Sequence, residues 1–155
     1  DICRNLKEIL HEGLYENCFV PMSERHYRKC GKDILLKEPL FPGYLFIVSD
    51  YIEKVASAIR QTSKFKRILR TGDCFTPMEE KEVESFAALA DSNFNVTMSK
   101  GFIVGDAIVV TKGPLKGYES HIEKIARHKR IAFIRLPFLR KDAKVRVPLE
   151  IIDKC

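Results

Sequence analysis

No stretch of this 155-residue chain approaches the roughly 20 consecutive apolar residues of a membrane-spanning helix. The first ten residues alternate apolar and charged side chains, which is not the pattern of a secretory signal. The five cysteines (Cys3, Cys18, Cys30, Cys74 and Cys155) are odd in number and form no CxxC pair. A disulfide framework is therefore not expected, and reduced thiols in a cytoplasm are. Cys18, His26 and Cys30 fall short of the four closely paired ligands that a structural zinc site needs. GxSxG, HExxH, Walker A and GxGxxG motifs are all missing, and the four histidines are scattered. The sequence thus calls for no enzyme, no metal, no cofactor and no membrane.

What is present begins with 45% hydrophobic residues, enough for a packed core. The chain starts at Asp1 rather than Met, so an upstream segment is expected. The formal net charge is +6, unevenly spread. Asp1–Met98 carries 14 Lys and Arg against 15 Asp and Glu, a net of −1, whereas Ser99–Cys155 carries 13 against 6, a net of +7. A basic C-terminal third joined to a near-neutral first part points to a polyanion partner for the former and a protein partner for the latter.

Ile2, Leu6, Ile9 and Leu10 recur at helical spacing, and Gly13 ends that helix. Leu14–Val20 reads as a strand stopped by Pro21. Glu24–Lys29 and Lys32–Lys37 flank Cys30-Gly31, the pattern of a polar hairpin. Tyr44–Val48 is an apolar run suited to a strand buried on both faces. Asp50 and Glu53 have capping-box spacing before a helix with Ile52, Val55, Ala56 and Ile59 on one face. Phe65–Arg70 predicts a short strand. Thr76-Pro77-Met78-Glu79 predicts a helix start, with Val83, Phe86, Ala87 and Ala90 as the buried stripe. This order suits an α+β, ferredoxin-like first domain over residues 1–90, an antiparallel sheet with helices on one side. Residues 91–101 read as a polar linker. From 102 to 155 the pattern is short strands, at Ala107–Val110, Tyr118–Ala126, Arg130–Leu136 and Lys144–Leu149, which make a small β-barrel.

Two motifs carry more than fold class. One is Leu40-Phe41-Pro42-Gly43-Tyr44-Leu45-Phe46-Ile47. The other is Gly105-Asp106-Ala107-Ile108-Val109-Val110 running into Gly113-Pro114-Leu115-Lys116-Gly117-Tyr118. Together and in this order they resemble the NusG family of transcription elongation factors, in which an N-terminal NGN domain precedes an SH3-like KOW barrel. The short apolar strand that family members carry before the first helix is not found in the chain as given. Within the family the sequence looks most like the specialised LoaP branch, which promotes processive antitermination.

The resemblance implies that Phe41, Pro42, Tyr44 and Phe46 contribute to a site for the clamp helices of the RNA polymerase largest subunit. It implies a weaker contact of Arg60, Gln61 and Thr62 with non-template DNA; many relatives carry Asn where Gln61 stands. For the barrel it implies binding of an RNA hairpin in a transcript leader. Charge selects Lys112, Lys116, Arg127, Lys129, Arg130, Arg140, Lys141, Lys144 and Arg146 as RNA contacts. A simple antiparallel meander puts the Lys112–Gly117 and Phe138–Ala143 loops at one end and Arg127–Arg130 at the other, roughly 20 Å away. The protein is expected to act as a cytoplasmic monomer. A general NusG, an RfaH-like paralogue guided by DNA, and a ribosomal KOW protein are the rival readings.

Overall fold

The computed structural model describes residues 2–62 and 68–152. In chain order its first elements are α1 (Ile2–Ile9), β1 (Asn17–Phe19), β2 (Met22–Lys29), β3 (Lys32–Pro39), β4 (Phe46–Val48) and α2 (Ile52–Arg60). There follow β5 (Arg70–Thr71), β6 (Cys74–Phe75), α3 (Glu80–Leu89) and β7 (Asn95–Val96). The basic third holds β8 (Ser99–Val104), β9 (Ala107–Lys112), β10 (Ile122–Ala126), β11 (Ile131–Phe138) and β12 (Lys141–Ile151). The α+β class and the β-rich C-terminal region both hold. The chain divides into two compact units, Asp1–Val20 with Gly43–Pro77 and Pro21–Pro42 with Met78–Cys155. The hairpin β2–β3 and helix α3 thus belong with the C-terminal strands, a grouping different from the 1–90 and 102–155 division.

In the first unit, Leu6 and Leu10 of the first helical segment meet Cys18, Val55 and Ile59 in a buried cluster, with Leu45 and Ile47 packed against it. Of the expected apolar faces, Leu6 and Leu10 of the first and Val55, Ala56 and Ile59 of the second are buried, while Ile9 and Ile52 are half-buried. Burial, with the Cys3 thiol beside it, pushes the Cys18 thiol up to about 12. Among the described residues, β4 pairs antiparallel with β1, register Cys18↔Ile47. It is half-buried to exposed rather than buried on both faces. The Asp50 capping box does not form. The helix instead begins after Tyr51 with no side-chain cap bond, and the Ser49 hydroxyl accepts the Tyr51 N–H at 2.9 Å and donates to the Leu14 carbonyl. Of the expected strand 65–70, residues 65–67 lie outside the described residues, and Arg70 opens the small β5–β6 hairpin.

In the second unit, β2 and β3 form the expected hairpin, with Lys29 opposite Lys32. Cys30 and Gly31 have φ of +51° and +75°, the left-handed pair that a two-residue turn matching strand twist requires. α3 starts at Glu80, later than expected, because Thr76 is bound in the β5–β6 hairpin to Leu69 and Thr71. Its buried residues are Glu82, Phe86 and Leu89, while Val83 is exposed. The stripe is rotated from the expected one because a carboxylate occupies a core position. Residues 91–101 are no unstructured linker. Asp91 accepts N–H bonds from Asn95 and Asn93, which hold its carboxyl below the usual range. β7 then pairs parallel with β2, and β8 begins at Ser99, which is fully buried.

The five C-terminal strands form one sheet, ordered β10-β11-β12-β8-β9. β8 pairs with β12 in parallel, Leu149↔Ser99, and the other neighbours are antiparallel. The sequence predicts Val145, Val147 and Leu149 inside, alternating with Lys144, Arg146 and Pro148 outside; the three apolar residues are buried and both cations exposed, but Pro148 is buried as well. Gly113 approaches Ser99 so closely that an added Cβ would lie 2.5 Å from the Ser99 Cα. The Ser99 hydroxyl accepts the Leu115 N–H at 3.0 Å, which anchors the loop after β9. Among the described residues, no helix is long and apolar enough to cross a membrane.

Candidate nucleic-acid and partner interfaces

The four residues of the Phe41–Phe46 motif do not share one environment. Phe41 is buried at 4% exposure, its ring stacked on Phe138 with centroids 4.2 Å apart and planes 17° from parallel. This burial does not suit the expectation that Phe41 contributes to a site for the clamp helices. The Leu40 N–H donates to the Pro21 carbonyl, so the chain leaving β3 turns inward and carries the next side chain with it. Pro42 is exposed. In the first unit, Tyr44 is exposed, and Phe46 is half-buried and stacked on Phe19 at 5.7 Å. Tyr51 and Val48 are further exposed apolar side chains of that unit.

Arg60 and Gln61 are exposed where α2 ends. Thr62 folds back, its backbone N–H and its hydroxyl both donating to the Ile59 carbonyl, at 3.0 and 2.9 Å. It satisfies an orphan carbonyl of the helix terminus, a structural duty that competes with reaching a nucleic acid.

The cations of the second unit are exposed or half-exposed, but their placement departs from the meander expectation. β8 runs parallel to β12 and carries β9 back beside it, so Lys112 lies opposite Lys100 and Lys100 opposite Glu150. Arg130 reaches the same carboxylate at 3.6 Å, and Lys100 reaches it at 3.5 Å. Lys112 at the end of β9 is therefore level with Glu150 and Arg130. The Leu139-Arg140 turn lies at the other end of β12. β9 and β11 both run antiparallel to β12, so the chain leaves them in the same direction, as the meander expectation has it. What the sequence reading lacked is β8, whose offset along β12 sets Lys112 level with Glu150 and Arg130.

Arg140 is held from two sides. Its backbone N–H donates to Glu82 Oε1 at 2.8 Å, and its guanidinium pairs with Glu79 at 3.1 Å. The other oxygen of Glu82 accepts the Glu79 N–H at 2.8 Å. Arg146 pairs with Glu38 at 3.5 Å, and its carbonyl accepts the Ser23 hydroxyl at 3.1 Å. Glu82, Phe138 and Ser23 escaped the sequence reading. Glu82 alone left a signal, a helix position that continues the Phe86 and Leu89 face.

A further set lies on the outward face of β10–β12. Arg135 of β11 sits directly opposite Lys144 of β12, and the Glu123 carboxylate bridges both. Two like charges facing each other across strands cost stability unless an anion lies between them. His26 is bound to Glu24 at 3.2 Å, and Cys30 sits exposed in its turn. Among the described residues, no group of three or more His, Cys, Asp or Glu side chains is placed to hold a metal ion.

A family model described as transcription termination factor nusG matches residues 2–87. The transcription termination/antitermination protein NusG of Rickettsia typhi is 22% identical over 130 residues, covering 83% of this chain and 68% of the relative. The proteins of the same name from Rickettsia felis and Rickettsia conorii are 21% and 22% identical, with the same coverage. A match over more than half of the chain, in the region of both helix faces and the β2–β3 hairpin, means that the protein belongs to the NusG family of transcription termination/antitermination factors.

Proposed function

We propose that this chain is a specialised NusG paralogue of the LoaP type, a processive antiterminator that rides on RNA polymerase and reads an RNA hairpin. Tyr44, exposed in the first unit, supplies the polymerase contact, with Pro42 and Phe46 of the same motif near it in sequence. The exposed lysines and arginines of Ser99–Cys155 follow the phosphates of the hairpin, and its shape and loop bases supply selectivity. RNA and polymerase are linked in the elongation complex, so each contact raises the effective concentration of the other. The observation that carries this reading is the net +7 confined to residues 99–155, with the arginines and lysines among the described residues there exposed or half-exposed.

The test is competition binding of the full chain to leader hairpins against an unpaired RNA of equal length and charge, at physiological salt. Strong preference for one hairpin is the expected result. Equal, weak and salt-sensitive binding to every RNA would favour a general NusG, the reading to which the name of the Rickettsia relatives belongs. Neutralising Lys112 and Lys116 together should lower the slope of log affinity against log salt by about one to two.

A further inference from the structure

We infer that the outward face of β10–β12 is a stacking platform for an unpaired base, centred on Phe133. This rests on the reading of the second unit as RNA-binding and names the feature of the RNA that it selects.

Ala132, Ile134, Leu136 and Phe138 turn into the core, so Phe133 and Arg135 turn outward with the alternation of the strand. Phe133 is only half-buried there, although a phenylalanine has nothing to gain from water. Its strand neighbours are cations on both sides, Lys124 on β10 and Arg146 on β12. The Lys144 ammonium stands 5.3 Å from the ring centroid. One aromatic ring on an open sheet face, ringed by cations, matches the two chemical parts of a nucleotide. The ring takes a base face, and the cations take the flanking phosphates.

Charge selects the occupant. Arg135 and Lys144 face each other with only Glu123 between them, and Arg146 spends its charge on Glu38. A phosphate arriving beside Arg135 and Lys144 adds the second anion that this pair lacks, and lets the Lys144 ammonium leave the ring as the base arrives. An apolar protein segment would instead bury these cations without a counter-charge. A fully paired duplex offers phosphates but no free base face, so the platform favours RNA with a bulge or an open loop.

The chain contains no tryptophan, so Phe133→Trp provides a unique fluorophore that keeps a stacking surface. With the full chain carrying this substitution, a hairpin with a bulge should quench the fluorescence on binding, and a fully paired hairpin of equal length should quench it much less. Phe133→Ala, checked for folding by circular dichroism, should bind the bulged hairpin about tenfold more weakly and the paired hairpin as before. Phe133→Tyr should bind both like the unsubstituted chain. Unchanged binding by Phe133→Ala, or binding by Phe133→Trp without quenching, overturns the platform while leaving RNA binding intact. Equal losses for both RNAs also overturn it, as would preference for an acidic protein over RNA. Failure of the unsubstituted chain to bind any RNA overturns the proposed function as well.

Discussion

Phe41 and Tyr44 stand three residues apart in one motif and meet opposite fates. Phe41 stacks on Phe138 in the core of the second unit, and Tyr44 faces solvent in the first. A buried aromatic truncated to alanine loses transfer free energy and leaves a cavity, at a cost of about 3–5 kcal/mol. An exposed one costs about 0.5 kcal/mol. Phe41→Ala should therefore lower the denaturation midpoint of the second unit strongly, and Tyr44→Ala should barely move either unit. Polymerase binding should respond in the reverse order once folding is controlled, with Tyr44→Ala weakened and the volume-conserving Phe41→Leu near normal. Denaturant melts beside pull-down of polymerase check both. A stable Phe41→Ala would sink the packing assignment, and undiminished polymerase capture by Tyr44→Ala would remove that ring from the interface. The sequence named both aromatics but not their separation, because the turn that sends one inward depends on Leu40 bonding to Pro21, which lies well back along the chain.

The element with the least favourable local chemistry is the turn joining β11 to β12. Leu139 and Arg140 have φ of +54° and +60°, the backbone of a tight hairpin turn that Asn-Gly fills without strain. Each residue without a glycine or asparagine there costs about 1 kcal/mol. The strain is offset by α3, whose buried Glu82 accepts the Arg140 N–H and whose N-terminal Glu79 pairs with the guanidinium. Replacing Leu139 and Arg140 with Asn and Gly should raise stability by about 1 kcal/mol, since the backbone bond to Glu82 survives and only an exposed ion pair is lost. Glu82→Ala should cost about 2 kcal/mol, because it strands two backbone donors. Thermal melts of the two variants test this. A destabilised Asn-Gly chain would mean that the side chains of the turn matter more than its backbone. Elements set by local rules were legible from sequence: the Cys30-Gly31 hairpin, the buried Leu6, Leu10, Val55, Ala56 and Ile59 of the first unit, and the alternation of Val145 and Val147 with Lys144 and Arg146. Elements set by distant partners were not. Glu82 inside the α3 stripe, Ser49 bound to the Leu14 carbonyl before α2, and β7 and β8 in a segment without periodicity each depend on a group far away in sequence. The same blindness hid the offset of β8 and β9 along β12, which sets Lys112 level with Arg130.

At the scale of the whole molecule, the basic third is completed by chain that precedes it. Besides Phe41 on Phe138 and Glu82 on Arg140, the Ser23 hydroxyl donates to the Arg146 carbonyl, and Glu24 accepts the Met98 N–H at 3.0 Å. A fragment cut at Ser99 retains all five strands of the sheet and most of its charge. It leaves the ring of Phe138 without its stacking partner and the Leu139-Arg140 turn without its anchor. Such a fragment should fold less stably than the same strands in the full chain and bind an apolar dye that the full chain excludes. Its RNA affinity should fall further than the charge lost would explain, because phosphate contacts need strands held in register. Hydrogen exchange separates these effects, since it follows β11 and β12 in both molecules. Faster exchange near the Leu139-Arg140 turn in the fragment, with equal protection near Ser99 and Leu149, is the expected pattern. Equal protection at both ends would mean that the sheet stabilises itself, and that Phe41 and Glu82 merely rest against it.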